Sequence, residues 1–374
     1  MGSKNKKARK GARTPQSLQT IHFQAAGIDL GSREHWVAAP PLEDGEPNVA
    51  QFGTTTPELI HLAEWLHEQQ VMSVAMESTG VYWIPLFEIL ASRGFEVLLV
   101  NARQISYVLG RKTDMLDCQW IQLLHSCGLL RGSFRPSDDI CRLRALIRER
   151  NTMVDQRSDW IKRMQKCLDQ MNICVHHVVT DITGGTGMAI IRAIVDGERD
   201  PQALARLRDS RCRKSQEQIA EELTGTWRAE HLFNLRQALR MYDQLNSVIE
   251  DYDAEILDYI ATLQSEDNDD LPGPSHTSKS KTQNIVKRGQ EPLRRALHQF
   301  SGVDLTTIDG IGVDTAAILT SELGLDYSAF PSENHFVAYL RLAPNLSISA
   351  GRKVRTSQKP LRVLVLPMPC GWGQ

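Results

Sequence analysis

The chain has no run of apolar residues that approaches the roughly 20 needed to cross a bilayer, and no apolar signal segment near its start. Membrane and secretory classes are therefore not expected, and a cytoplasmic location is. Its seven cysteines are scattered, odd in number and contain no Cys-x-x-Cys pair, which indicates neither a zinc site nor a disulfide framework and points to reduced thiols. The chain also lacks a charge excess. With 43 Lys and Arg against 45 Asp and Glu the net charge is −2, which by itself argues against a nucleic-acid partner. That average conceals segregation: Lys4, Lys6, Lys7, Arg9, Lys10 and Arg13 stand together without an acid, whereas Glu266, Asp267, Asp269 and Asp270 cluster far downstream. A basic arm over residues 1–23 is expected to be disordered and able to meet phosphates without sequence preference; as a solubilising tail it would look the same. The Gly-rich run Thr183-Gly184-Gly185-Thr186-Gly187 lacks the Lys-Ser/Thr of a phosphate loop and reads as the cap of a following helix.

What is present is ordinary globular material, 41% hydrophobic and 24% charged, in a chain of 374 residues that should form two or three domains. From Gln24 to about Leu130, short β-branched runs alternate with amphipathic stretches, the pattern of an α/β layer. Strands are expected at Ala25–Asp29, His35–Ala39, Gln51–Gly53, Val71–Glu77 and Glu96–Val100. Helices are expected from Thr56 (as N-cap, with Pro57 first in the helix) to Gln69, from Val81 to Arg93, and from the Asp114/Asp117 region to Leu130. Residues 138–173 read as one long helix carrying Arg142, Arg144, Arg148, Arg150, Arg157, Lys162, Arg163 and Lys166. This is the most basic ordered surface in the sequence, although interleaved acids also fit a salt-bridged helix. Leu235, Leu239, Tyr242, Leu245, Ile249, Tyr252, Ile256 and Ile260 form a heptad-like stripe. It could make a coiled coil between two protomers of a homo-oligomer or a hairpin with the 138–173 helix. Residues 264–296 read as a flexible polar linker, 297–357 as a small, mainly α-helical domain, and 358–374 as an aberrant tail.

Four acids carry the chemistry. Asp29 ends the apolar run Ala25-Ala26-Gly27-Ile28-Asp29, and Glu77 ends a second strand before Ser78-Thr79-Gly80. Asp114 and Asp117 are three apart, so on a helix both project from one face. Carboxylates in the order strand Asp, strand Glu, helical Asp pair can hold two divalent cations roughly 3.5–4 Å apart, and such hard oxygen ligands favour Mg²⁺ or Mn²⁺. Downstream, Ile308-Asp309-Gly310-Ile311-Gly312-Val313-Asp314 resembles a helix-hairpin-helix turn, in which Gly310 and Gly312 would let backbone N–H groups approach a phosphate.

Taken jointly, Gly27-Ile28-Asp29, Met76-Glu77-Ser78-Thr79-Gly80, Lys112-Thr113-Asp114-Met115-Leu116-Asp117, Ile308-Asp309-Gly310-Ile311-Gly312 and Leu342-Ala343-Pro344 resemble the DEDD transposases of the insertion-sequence-110 family, with which Piv-type DNA invertases are grouped. The resemblance runs from about residue 24 to about residue 357. It implies a ribonuclease-H-like (RuvC-type) domain over residues 24–137, a helical coiled-coil region over 138–263 and a C-terminal transposase domain. It also implies a recombinase acting on DNA with a structured guide (bridge) RNA, Mg²⁺ on the four acids, and a serine nucleophile five residues beyond the proline, which is Ser349. Ser347 is the neighbouring alternative, and Arg352, Lys353 and Arg355 would supply charge for phosphates. Relatives continue through a further basic helical segment, whereas Pro360 to Gln374 has neither helical period nor that charge, as expected of a frameshifted or truncated end.

Three other readings compete. A RuvC-like nuclease acting on branched DNA needs the carboxylates but no serine. A sugar-kinase or actin-like ATPase would use Gly27-Ile28-Asp29-Leu30-Gly31-Ser32 as its first phosphate loop, yet needs a second Asp-x-Gly loop that Asp309-Gly310 supplies poorly. An inactive nucleic-acid-binding remnant would explain the odd terminus.

Overall fold

In this computed structural model the described residues are 19–43, 45–78, 80–101, 117–209, 214–263 and 289–340, with the backbone alone at 347–349 and 352–354. They divide into two compact units between Arg135 and Pro136.

The first unit is built on a five-stranded sheet made of β1 (Ala25–Leu30), β2 (Glu34–Ala39), β3 (Asn48–Gly53), β4 (Ser73–Glu77) and β5 (Glu96–Val100), in the order β3-β2-β1-β4-β5. The first three strands form an antiparallel meander, while β4 and β5 run parallel to β1. Side chains alternate between faces, and both faces of the inner strands are apolar because both are covered. Ala26, Ile28, Val74 and Met76 pack against Leu59, Leu62, Leu66, Leu86 and Leu90 of helices α1 (Thr56–Glu68) and α2 (Trp83–Ser92). Ala75 and Val100 face the other way, onto Trp120, Ile121 and Leu124 of α3 (Asp117–Ser126). Each fully buried leucine contributes about 2 kcal/mol of transfer free energy. This mixed sheet between helices fits the ribonuclease-H-like expectation. One local expectation fails: the N-cap of α1 is Thr55, not Thr56, and its side chain makes no capping bond. Pro57 removes a donor that a cap would serve, and Glu58 turns back to accept from the Gly53 N–H at 3.1 Å.

The second unit is organised by two long helices, α4 (Asp138–Gln170) and α9 (Ala229–Leu263). Between them, among the described residues, lie four short ones, α5 (Val175–Val178), α6 (Gly185–Asp196), α7 (Pro201–Ala205) and α8 (Gln216–Glu222). Gly184 is the N-cap of α6, the capping role read for the Gly-rich run. The long pair is an antiparallel hairpin, since Arg142 reaches Glu255, Arg150 reaches Asp253 and Arg157 reaches Asn246. Leu235, Leu239, Leu245, Ile249, Ile256 and Ile260 are buried inside the unit, so the apolar stripe is used within one chain. One end of the hairpin carries a core of Met164, Leu168, Met171, Leu235 and Leu239 with Ile190, Ile191 and Ile219. The other end carries Leu143, Ile147, Ile256 and Ile260 with Leu297 and Val313. Those last two belong to α10 (Glu291–Ser301) and α11 (Val313–Leu323), the first of which begins inside the segment read as linker. A short helix α12 (Glu333–Tyr339) and two paired strands, β6 (Ser347–Ser349) and β7 (Arg352–Val354), follow in a region expected to be mainly helical.

The basic face expected on residues 138–173 is largely consumed inside the unit. Arg148 grips Glu322 with both carboxylate oxygens, at 2.6 and 2.8 Å, and Arg144 adds a contact to the same carboxylate at 3.1 Å and to the Glu322 carbonyl at 2.6 Å. The Glu322 side chain is 6% exposed. Removing one partner of such a pair leaves the other charge buried. Glu322→Gln should therefore lower the unfolding free energy by about 3 kcal/mol, read as a shift of the urea midpoint; an unchanged midpoint would mean that water compensates both guanidinium groups.

Candidate active site

Asp29 and Glu77 occupy equivalent places on neighbouring parallel strands. The register pairs Ile28 with Met76, so each acid is the next residue along, and alternation puts both on the face that α3 covers. Both are half-buried. Asp117, the first described residue of α3, is exposed. Asp114 lies outside the described residues.

Gly27 sets how closely α3 can approach. A Cβ at that position would sit 2.2 Å from the Gln122 nitrogen and 2.5 Å from the Cys118 carbonyl oxygen, both backbone atoms, so the helix rests directly on the strand. Gln122 completes the contact by donating from Nε2 to the Ala25 carbonyl at 3.2 Å. At the far end of α3, His125 Nε2 lies 2.8 Å from Ser73 Oγ, tying the helix to β4 as well. The first turn of α3 is thereby brought beside the end of β1. The electrostatics agree: burial first, and then the Asp29 carboxylate, push the Cys118 thiol up to about 11. Glu77 is fixed from behind, because the Ser78 N–H and hydroxyl both donate to the Val100 carbonyl, at 2.9 and 3.1 Å. Beyond Asp29 the chain reverses tightly, with the Gly31 N–H donating to the Glu34 carbonyl at 3.0 Å.

Three of the four predicted acids thus come from two strand ends and one helix that share a face. Their donors are hard oxygens on rigid supports, a set suited to Mg²⁺ or Mn²⁺ and poorly suited to softer metals. Gln122, Ser73 and His125, which hold the helix in place, were not singled out in the sequence; the only signal was the alternation that put Ser73 and Glu77 on one strand face.

In the second unit, Ser347 and Ser349 lie on β6 and Arg352 and Lys353 on β7, with Ser349 opposite Arg352 in the register. Arg355 and the tail beyond it are outside the described residues. Gly310 has φ +85°, a left-handed conformation that favours glycine, and a Cβ on either Gly310 or Gly312 would meet open space. Gly312 is the N-cap of α11. Asp314 in the first turn of that helix would oppose an anion, but its carboxylate is engaged by Arg150 at 3.2 Å and by Gln290 at 2.8 Å.

Two expectations follow for the helix-on-strand contact. Gly27→Ala forces backbone apart and should cost at least about 2 kcal/mol, whereas Gly185→Ala, placed in open space at the start of α6, should leave the urea midpoint unchanged or slightly raised. The second concerns pH. Burial lowers the pKa of both His35 and His125 below the ordinary 6.5. The folded form then binds fewer protons, so its stability is fully present above pH 6.5 and is lost as pH falls below it. Urea titrations across that range should show this decline, and His125→Gln should make it shallower; equal slopes would remove His125 from the account.

Two family models match the chain. One, for transposases of the IS110 DEDD type, covers residues 26–173, and one described as "Transposase IS116/IS110/IS902 family" covers residues 303–364. No curated protein matches it. No described helix is long and apolar enough to cross a membrane.

Proposed function

Because this chain belongs to the IS110 family of transposases, and is therefore a DNA transposase/recombinase enzyme, we propose that it cuts and rejoins DNA strands with a serine nucleophile and a carboxylate-bound metal site. Asp29, Glu77 and Asp117, with Asp114, would hold Mg²⁺ or Mn²⁺, two ions in all; the bound metal would lower the pKa of a coordinated oxygen and offset charge at phosphorus. The observation that carries this reading is the pairing of Asp29 and Glu77 at equivalent register positions on the face covered by α3, whose first described residue is Asp117.

Ser349 is the proposed nucleophile. Its attack would exchange one backbone P–O bond for a serine phosphoester, and reversal by a free DNA hydroxyl would reseal the strand without an external energy source. Arg352 and Lys353, on the strand paired with that of Ser349, together with Arg355, would neutralise phosphate oxygens. Gly310 and Gly312 would admit a further phosphate against the start of α11, where nothing within 4 Å occupies the space of a side chain. Guidance by a structured RNA belongs to the same reading and rests on the family resemblance, as does a homo-oligomer.

Incubating the full chain with labelled supercoiled DNA and Mg²⁺ tests the assignment. Cleavage should leave label covalently attached to protein. Ser349→Ala should abolish attachment and cleavage together while Ser347→Ala retains both; cleavage that persists in Ser349→Ala would favour hydrolysis by water. Asp29→Asn, Glu77→Gln and Asp117→Asn should each lower cleavage by about 100-fold or more, with the exposed Asp117→Asn changing stability by no more than about 0.5 kcal/mol.

A further inference from the structure

Away from the strand-end carboxylates, the described residues bring another set of metal-binding side chains together. The ligand atoms of Cys174, His177 and Glu222 all lie within 4.8 Å of one another. Cys174 is the N-cap of α5, and His177 follows three residues on, which places both on one side of that single turn. The His177 N–H donates to the Cys174 carbonyl at 2.9 Å. Glu222 is the last residue of α8, whose start is fixed by the reciprocal Ser215 and Gln218 capping bonds. Its carbonyl accepts from the Cys174 N–H at 2.8 Å, so backbone bonds hold the two elements together independently of any side chain.

The side chains are already oriented. Lys214 Nζ holds Glu222 Oε1 at 2.9 Å, while the other oxygen, Oε2, lies 2.8 Å from His177 Nδ1. Asp169, in the last turn of α4, sits 3.4 Å from His176 Nδ1. Burial first, then the Glu222 and Asp169 carboxylates, raise the pKa of the Cys174 thiol. In a tetrahedral zinc site the ligand atoms stand roughly 3.3–3.7 Å apart, given metal–ligand distances of about 2.0–2.3 Å, so shifts of no more than about an ångström, including a slight separation of His177 Nδ1 from Glu222 Oε2, would fit this group around an ion. Thiolate and imidazole donors select Zn²⁺ over the hard cations suited to the strand-end acids. Lys214 would then act from outside the ligands, fixing the carboxylate as such outer partners do. The sequence shows no Cys-x-x-Cys, and Glu222 is too distant along the chain to be grouped with Cys174 by spacing.

We propose that Cys174, His177 and Glu222 bind one Zn²⁺, with a water in the fourth position, and that the ion clips the start of α5 to the end of α8. The assignment is independent of the DNA-strand chemistry.

The experiment uses the purified, chelator-stripped full chain in excess Mg²⁺, which occupies oxygen-only sites, with Co²⁺ alone as probe. One equivalent should develop a thiolate-to-cobalt charge-transfer band that Zn²⁺ abolishes. Cys174→Ser should lose the band, Cys141→Ser should keep it, and His177→Asn should weaken Co²⁺ binding by at least about tenfold. In the unmutated chain, Zn²⁺ should slow iodoacetamide alkylation of Cys174, read by peptide mass spectrometry, by at least about tenfold, and EDTA should restore it. No band, a band that survives in Cys174→Ser, or alkylation indifferent to Zn²⁺ would overturn the proposal and leave an ordinary ion-pair cluster. Because the alkylation arm needs no substitution, a misfolded variant does not protect the idea.

Discussion

The bare backbone of Gly27 sets where the first unit can hold its carboxylates. With any larger residue the helix α3 would stand off the central strand, and Asp117 would move away from the ends of β1 and β4. The rest of the arrangement answers to that contact. Small residues, Ala25 and Ala75, line the same face, the Gln122 amide reaches back to the strand, and His125 is secured by Ser73. Asp29 and Glu77 sit one residue beyond the paired Ile28 and Met76 on this framework. They are positioned by neighbours whose own requirements are steric, which is how a charged cluster can be kept rigid without being fully buried.

Much of the first unit was legible because its signals are local. Five apolar runs bounded by turn residues became five strands, and the alternation within β1 and β4 was enough to put Asp29 and Glu77 on a common face. The choice between Thr55 and Thr56 as helix cap was not legible, because it is decided by the missing N–H of Pro57 and by the Glu58 bond to Gly53 rather than by residue preference. The placing of Ser349 relative to the acids is not a matter of pattern at all, since the two lie in different units.

Charge in the second unit misleads for a different reason. Arg142, Arg144, Arg148, Arg150 and Arg157 recur along one helix as a nucleic-acid surface would, and nothing within that helix reveals their partners. The acids and amide that meet them, Asp253, Glu255, Glu322, Asp314 and Asn246, are 89 to 178 residues away. These guanidinium groups cross-brace α4 to α9 and α11. Arg294 does the same within the small C-terminal bundle: it is 4% exposed and bonded to Asp304 at 2.5 Å and Thr306 at 3.0 Å. Although burial alone would raise the Asp304 pKa, hydrogen bonds from Arg294 and Thr306 hold it below its usual value. Most of the arginines on α4 are therefore engaged within the unit.

The hairpin of α4 and α9 also fixes a length. A helix of 33 residues spans about 50 Å. The levels of Arg150, which holds the first turn of α11 through Asp314, and Asp169, at the α5 and α8 end, are separated along it by about 28 Å. The two ends of the hairpin are thus held a fixed interval apart by one continuous helix.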